Sequence, residues 1–404
     1  MLVQKEQRNI VRPRACHWPV VALLIVQLLS GIVLLPQRSF FPIYMEERLE
    51  YTMVSISAFV ALGQLLGMIA SVVGGTLCDS MGRKWTLVLG LTGFIFGSLA
   101  YLIRAPWLVI LLWSISGFGV GFHTLGGQSY LIDAAGPERL GVLSALYNWG
   151  FTIGGTLSSP GAGIVLDRRG FSAFGMVLLV LSLVATLGTM AFLPRLQNSG
   201  IRRGLGGLGG YRDIVRRPVV VILGLLRFLP TCYYGMATVL IPLLINRTAG
   251  SKTAVAWYAT FSLIMASLAQ VLAGRAADRW GRRGPTLVAF GVLVISAVGL
   301  AGSAAHLWSF YTFGVLEACA AWSLSTLTPC LVSDATAVEE RGRVLGMLNL
   351  LWNVGMMVGA LIGGALVEIA VGLPFFVAAW LNLGAIMLAA FFFRLPAVQG
   401  NRIA

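Results

Sequence analysis

Gly75-Thr-Leu-Cys-Asp79-Ser-Met-Gly82-Arg83-Lys84 and Gly274-Arg-Ala-Ala-Asp278-Arg-Trp-Gly281-Arg282-Arg283 share the pattern G-x-x-x-D-x-x-G-R-[K/R], 199 residues apart in a chain of 404. Each lies where one long apolar segment ends and another begins. A basic junction that recurs at half the chain length predicts a duplicated unit of membrane-spanning helices.

Composition agrees with that reading. The chain is 57% hydrophobic and 11% charged, with a mean hydropathy of +0.85. A soluble domain carries roughly 25% charged residues, so most of this surface cannot face water. Runs of about 20 apolar residues are long enough to cross a ~30 Å hydrocarbon core. Twelve are expected, near 19–41, 55–77, 85–103, 107–130, 142–166, 172–193, 218–244, 254–273, 286–305, 307–331, 344–366 and 373–393. The first follows a basic stretch but is too long for the apolar core of a signal peptide, and no A-x-A site follows it. It reads as a permanent span.

The net charge of +14 would suggest nucleic acid in a soluble protein, but topology accounts for it here. An even number of spans places both termini on one side. That side holds 21 of the 29 Lys and Arg and the other side 7, with Arg227 inside a span. Basic excess marks cytoplasmic loops, so both termini are expected in the cytoplasm. The 195–217 segment holds six glycines and six arginines and reads as a flexible linker near anionic headgroups. The expected organisation is a tail (1–18), a six-helix bundle (19–194), the linker (195–217), a second bundle (218–394) and a tail (395–404). Cys16, Cys78, Cys232, Cys319 and Cys330 form no C-x-x-C or Cys/His cluster, so neither a disulfide nor a metal site is expected.

The repeat extends beyond the junctions at offsets of 199 to 202. Pro42 matches Pro242, Trp107 matches Trp308, Asp133 matches Asp334, and Glu138-Arg139 matches Glu340-Arg341. Gly155-x-x-x-Ser159-Pro160-x-x-Gly163 in span 5 matches Gly355-x-x-x-Gly359-Ala360-x-x-Gly363 in span 11. This pattern resembles the major facilitator superfamily over nearly the whole chain. The junction motif matches that family's signature, and Asp334-x6-Arg341 is similar to its acid-x6-Arg element. The span-5 element carries Ser159 where glycine is usual. An arginine expected four residues before Gly117-x-Gly119 is replaced by Trp113.

The resemblance implies an all-α membrane protein of twelve helices in two pseudo-symmetric six-helix bundles. It also implies that Asp79, Arg83 and Lys84, with Asp278 and Arg282 in the other half, close the cytoplasmic side when the outer side is open. Asp133 and Asp334 are candidate partners there, with Arg139 and Arg341. A carboxylate in such a cluster can accept charge-assisted hydrogen bonds and favour a helix N-terminus. Glycines at four-residue spacing bring helices together in lipid, which assigns packing to Gly75, Gly155, Pro160, Gly163, Gly355, Gly359 and Gly363.

Arg38, Arg227 and Glu317 are the charged residues inside the spans. A charge at such depth usually faces a partner or a wet cavity. Arg227 and Glu317 therefore form either a structural salt bridge or a site in which Glu317 takes up a proton and Arg227 holds an anionic group. Gln27, His123, Tyr233, Tyr234 and Trp322 are further candidates for substrate or coupling. Arg38 is expected to snorkel outward or to pair with Glu46-Glu47.

These readings point to secondary transport of a small organic solute by alternating access, with proton-coupled export of amphipathic compounds first and a nutrient or metabolite importer second. The expected partners are the solute, protons and the bilayer of a plasma or bacterial inner membrane, with no nucleic acid, no cofactor and a monomeric functional unit. No G-x-x-x-x-G-K-[S/T] loop is present, which argues against direct use of ATP. Three scattered histidines, His17, His123 and His306, argue against an enzyme.

Overall fold

The computed structural model describes residues 17–135, 140–196, 216–303, 306–337 and 340–395, without the side chains at 17, 76 and 79. The expected linker and both tails lie almost wholly outside the described residues, as do Arg139 and the Asp79 side chain. What is described is helical, with no strand among the described residues.

In a bilayer every backbone N–H and C=O must be satisfied within its own segment, and helices do this. The chain forms α1 (His17–Leu49), α2 (Met53–Met81), α3 (Arg83–Ala100) and α4 (Pro106–Ala135). The run Leu140–Phe192 leaves helical geometry at Gly170, with φ 75° and ψ −176°, and divides there into α5 (140–169) and α6 (171–192). After the linker come α7 (Pro218–Ala249), α8 (Lys252–Trp280), α9 (Arg283–Ser303), α10 (Leu307–Ala335), α11 (Arg341–Ile369) and α12 (Leu373–Phe392).

Among the described residues, ten helices are long and apolar enough to cross a membrane when the Gly170 break is ignored. The difference from the twelve expected lies in that break and in α3, which begins on Arg83-Lys84 and is short. Several helices also outrun their apolar spans at the basic end. α2 continues to Met81, α4 to Ala135 and α8 to Trp280, because intrahelical bonding continues where the side chains become polar.

The duplicated motif has a local cause. Gly82 (φ 85°) and Gly281 (φ 79°) both adopt positive φ, which glycine tolerates without a Cβ clash. Gly82 alone thus joins α2 to α3, and Gly281 with Arg282 joins α8 to α9.

Within the first half α3 packs on α4, α1 on α5, α2 on α4 and α3 on α6. Within the second half α7 packs on α11, α8 on α10 and α9 on α12. The halves meet chiefly where α2 lies on α11 and α5 on α8. Large apolar side chains such as Val72, Leu157, Leu187, Val288 and Met387 are exposed around the perimeter, as lipid contact requires.

Small residues set the close approaches. A Cβ on Gly154 would meet the backbone of α1 at Leu28 and Ile32, and one on Gly155 would strike Leu35. In the second half a Cβ on Gly359 would strike the Cys232 backbone, while those on Gly355 and Gly363 would crowd Thr231 and Met236 at 3.0 Å. Gly163 abuts Thr253 and Ala256 of α8, so it serves the contact between halves. Pro160 sits inside α5. Gly75 departs from the packing expectation: among the described residues, nothing lies within 4 Å of a Cβ built there.

Candidate solute cavity and its gates

A cavity of about 1020 Å³ lies between the halves. Its walls come from α1, α2, α4, α5, α7, α8, α10 and α11, and they include Arg38, Trp113, Arg227, Tyr234, Glu317 and Trp322. It reaches Pro42 and Pro242 at one end, and Gln128, Arg275 and Asp278 at the other. The latter end is the basic face, where the two G-x-x-x-D-x-x-G-R motifs lie.

Arg227 and Glu317 both line the cavity, and they are not a salt bridge. The Arg227 Nη2 donates to Ser325 Oγ at 3.5 Å, and its guanidinium sits 5.9 Å from the Trp352 ring. Ser325 is eight residues beyond Glu317 on α10, about 12 Å along the helix axis. Glu317 is 2% exposed, and its Oε1 has no hydrogen-bond partner among the described residues. Tyr233, Tyr234 and Tyr258 lie within electrostatic range of it. A π-helical turn, Phe310–Gly314, precedes Glu317 on α10.

The remaining candidates divide by helix face. Tyr234 and Trp322 line the cavity, Trp322 Nε1 donating to Tyr234 Oη at 3.2 Å. Tyr233 points the other way. Its hydroxyl meets Ser296 Oγ of α9 at 2.8 Å, and Ser296 donates to Phe313 O at 2.6 Å. His123 and Gln27 are likewise outside the cavity lining. His123 Nε2 lies 2.9 Å from Ser30 Oγ, which itself donates to Val26 O, and the ring packs 5.1 Å from Phe94. Gln27 is buried beside Gly127 and Tyr147. These three residues join helices within one half rather than facing the solute path.

Arg38 corrects a sequence expectation. It lines the cavity, close enough to Tyr234 and His123 to act on them electrostatically. It does not pair with Glu46 or Glu47, which lie eight and nine residues further along α1, about 12 to 14 Å away. Trp113, standing where the resemblance expects arginine, stacks on Phe41 at 3.4 Å between ring centroids. The cationic group that the first half puts deep into the cavity therefore comes from α1 instead of α4.

Among the described residues, the ion pairs at the basic face do not cross from one half to the other. Arg83 pairs with Asp133 at 2.6 Å, and Arg217 with Glu340 at 2.6 Å. Arg282 binds Asp334, Cys330 O and, at 3.0 Å, Ser333 Oγ. Arg341 donates to Ser333 O at 2.9 Å, and Lys84 to Met190 O at 2.8 Å. Asp278 lies on the cavity wall near its mouth.

At the far face the bonds cross between halves. Arg247 Nε donates to Glu46 Oε1 at 2.7 Å; Asn246 Nδ2 and Lys252 Nζ both donate to Glu47 Oε1 at 2.8 Å. Asp167, at the end of α5, accepts from Ser251 Oγ at 2.8 Å, Lys252 N at 2.9 Å and Thr253 N at 2.8 Å. It caps the first turn of α8, where N–H groups lack helical acceptors. Val54 N donates to Glu368 Oε1 at 3.2 Å. Sequence reasoning passed over this latch. The sign available was acid on one half (Glu46, Glu47, Asp167) facing base on the other (Arg247, Lys252) across the same face.

A family description, Major Facilitator Superfamily, matches residues 23–244 and again 223–403. The chain is 25% identical over 360 residues to the multidrug resistance protein MdtH of Salmonella arizonae, covering 84% of each protein. It is 25% identical over 184 residues to the class H tetracycline resistance protein of Pasteurella multocida. That match covers 43% of this chain and 44% of the relative, so it spans less than half of the tetracycline protein. Among solved structures, a mutant of the nucleoside transporter NupG superposes with a TM-score of 0.78 over 93% of this chain and 100% of its own, at 16% identity. That likeness is one of fold.

Proposed function

The chain belongs to the Major Facilitator Superfamily, and on that premise we propose that it carries a small organic solute across the membrane by rocking its two halves about the central cavity. One observation carries the reading. The cavity reaches Gln128, Arg275 and Asp278 at the basic face, while at the far face bonds join one half to the other. Basic loops belong to the cytoplasm, which supports reading this as a cytoplasm-open state with both termini inside, in a plasma or bacterial inner membrane. The units in motion would be 19–194 and 218–394, tied by 195–217, in one monomer.

In the opposite state the Asp79–Arg83–Lys84 and Asp278–Arg282 clusters would meet the other half and close the cytoplasmic side. Export of amphipathic compounds is the preferred direction. The aromatic walls suit such solutes, and two relatives bear the names of multidrug and tetracycline resistance proteins. Glu317 is the proposed proton carrier, as a carboxyl on the cavity wall whose Oε1 has no fixed partner.

The test is solute-triggered proton movement in liposomes of purified protein across a solute panel, wild type beside Glu317→Gln. The expected result is a proton flux that only the variant loses. Equal flux in both would remove Glu317 from coupling.

A further inference from the structure

Four of the arginines at the two faces have acidic partners, while Arg341 bonds the Ser333 carbonyl. Arg83, Arg217, Arg247 and Arg282 each pair with a carboxylate. Those deep in the cavity do not: among the described residues, neither Arg38 nor Arg227 has a carboxylate within ion-pair distance. Glu317 is the acidic group of the inner cavity, and it pairs with neither. Arg275 and Asp278 lie together near the mouth, one charge of each sign.

In the open state water can solvate a bare guanidinium. When the cavity closes that water is largely lost, and a lone charge in a low-dielectric space is costly. The deep cavity therefore sets two unpaired guanidinium groups against the single carboxyl of Glu317, an excess of positive charge that an entering anion can offset. Deepening the transport reading and resting on it, we propose that the solute is an organic anion with a flat apolar body, handled at two stations, Arg227 and then Arg38.

Depth sets the order. Arg227 lies nine residues from the start of α7, whereas Arg38 lies 21 from the start of α1, about 14 and 32 Å along their helices. Arg227 is thus nearer the open mouth, and Arg38 nearer the sealed end. Both stations have aromatic walls: Trp352 beside Arg227, and Tyr234 near Arg38, with Trp322 bonded to it. An aromatic face packs a planar apolar body, while the guanidinium fork takes a carboxylate in bidentate fashion. The two cationic stations come from opposite halves, so an anion drawn between them couples the wall of one half to that of the other.

Binding to the full-length protein in lipid nanodiscs, measured by calorimetry with three probes of matched shape, tests this. The probes are 2-naphthoate, neutral 2-naphthamide and the cation 2-naphthylmethylammonium. Naphthoate is expected to bind at least about tenfold more tightly than either other probe, and Arg38→Gln and Arg227→Gln should each weaken it about tenfold. Arg38→Lys and Arg227→Lys, which keep the charge but lose the bidentate fork, should fall between the wild type and the Gln variants. Equal or tighter binding of the ammonium, naphthoate binding indifferent to both Gln variants, or no saturable naphthoate binding overturns the proposal. The wild-type comparison stands even if a variant misfolds. The rocking motion is read separately, by spin-label distances across the far face, and those do not depend on solute charge.

Discussion

The two faces of the molecule hold similar ion pairs, wired differently. Among the described residues, the basic-face pairs Arg83–Asp133, Arg217–Glu340 and Arg282–Asp334 do not cross between the halves. At the far face Glu46–Arg247, Glu47–Lys252 and the Asp167 cap of α8 all bridge the halves. Charge pairing alone therefore does not say which end is shut; the address of each partner does. Pairs within a half stabilise a rigid body. Pairs across the halves stabilise one position of that body against the other.

This contrast can be broken most forcefully through a glycine. Gly163→Leu would drive a side chain into Thr253 and Ala256 of the far-face contact, and overpacking typically costs about 1 to 3 kcal/mol. Spin-label distances across that face should lengthen in most molecules. Gly75→Leu, with open space around it here, should leave the same distances unchanged.

Next in size is Asp167→Ala, which removes the acceptor for three donors of α8. Discounted for exposure, the loss is about 1 kcal/mol, enough to move the open-to-sealed ratio several-fold in the same measurement. Asp133→Asn should separate the two wirings. It should lower the thermal midpoint of the protein, for a loss of about 1 kcal/mol, without lengthening the far-face distances. The smallest effect belongs to Arg217→Gln. Its exposed pair with Glu340 is worth between about 0 and 1 kcal/mol, so neither midpoint nor distance should change measurably.

The fold was legible because its signals are local. Gly82 and Gly281 mark the short turns of the repeated junction, and the spacing of Pro42 and Pro242, or Gly155 and Gly355, exposes the duplication. The site was less legible. In a helix surrounded by apolar partners and lipid, hydrophobic periodicity does not reveal which face looks into the cavity, so Tyr233 and Tyr234 could not be told apart. Two misreadings had an available remedy. The distance along α1 already separated Arg38 from Glu46-Glu47. His123 shares a stripe with Gly119 and Gly126, and those glycines lie against the α3 backbone. The far-face latch was hidden for a different reason: its partners sit 84 to 314 residues apart in the chain.

Gly170 joins α5 to α6 through a single turned residue, with φ 75°. Three positions earlier, Asp167 grips the start of α8. A joint this short has no backlash. Under the proposed rocking motion, an α5 released from that grip would carry α6 with it, and α3 through Ser98 and Ser182, whose hydroxyls lie 3.1 Å apart. A single carboxylate at the rim would then be the catch on a three-helix lever.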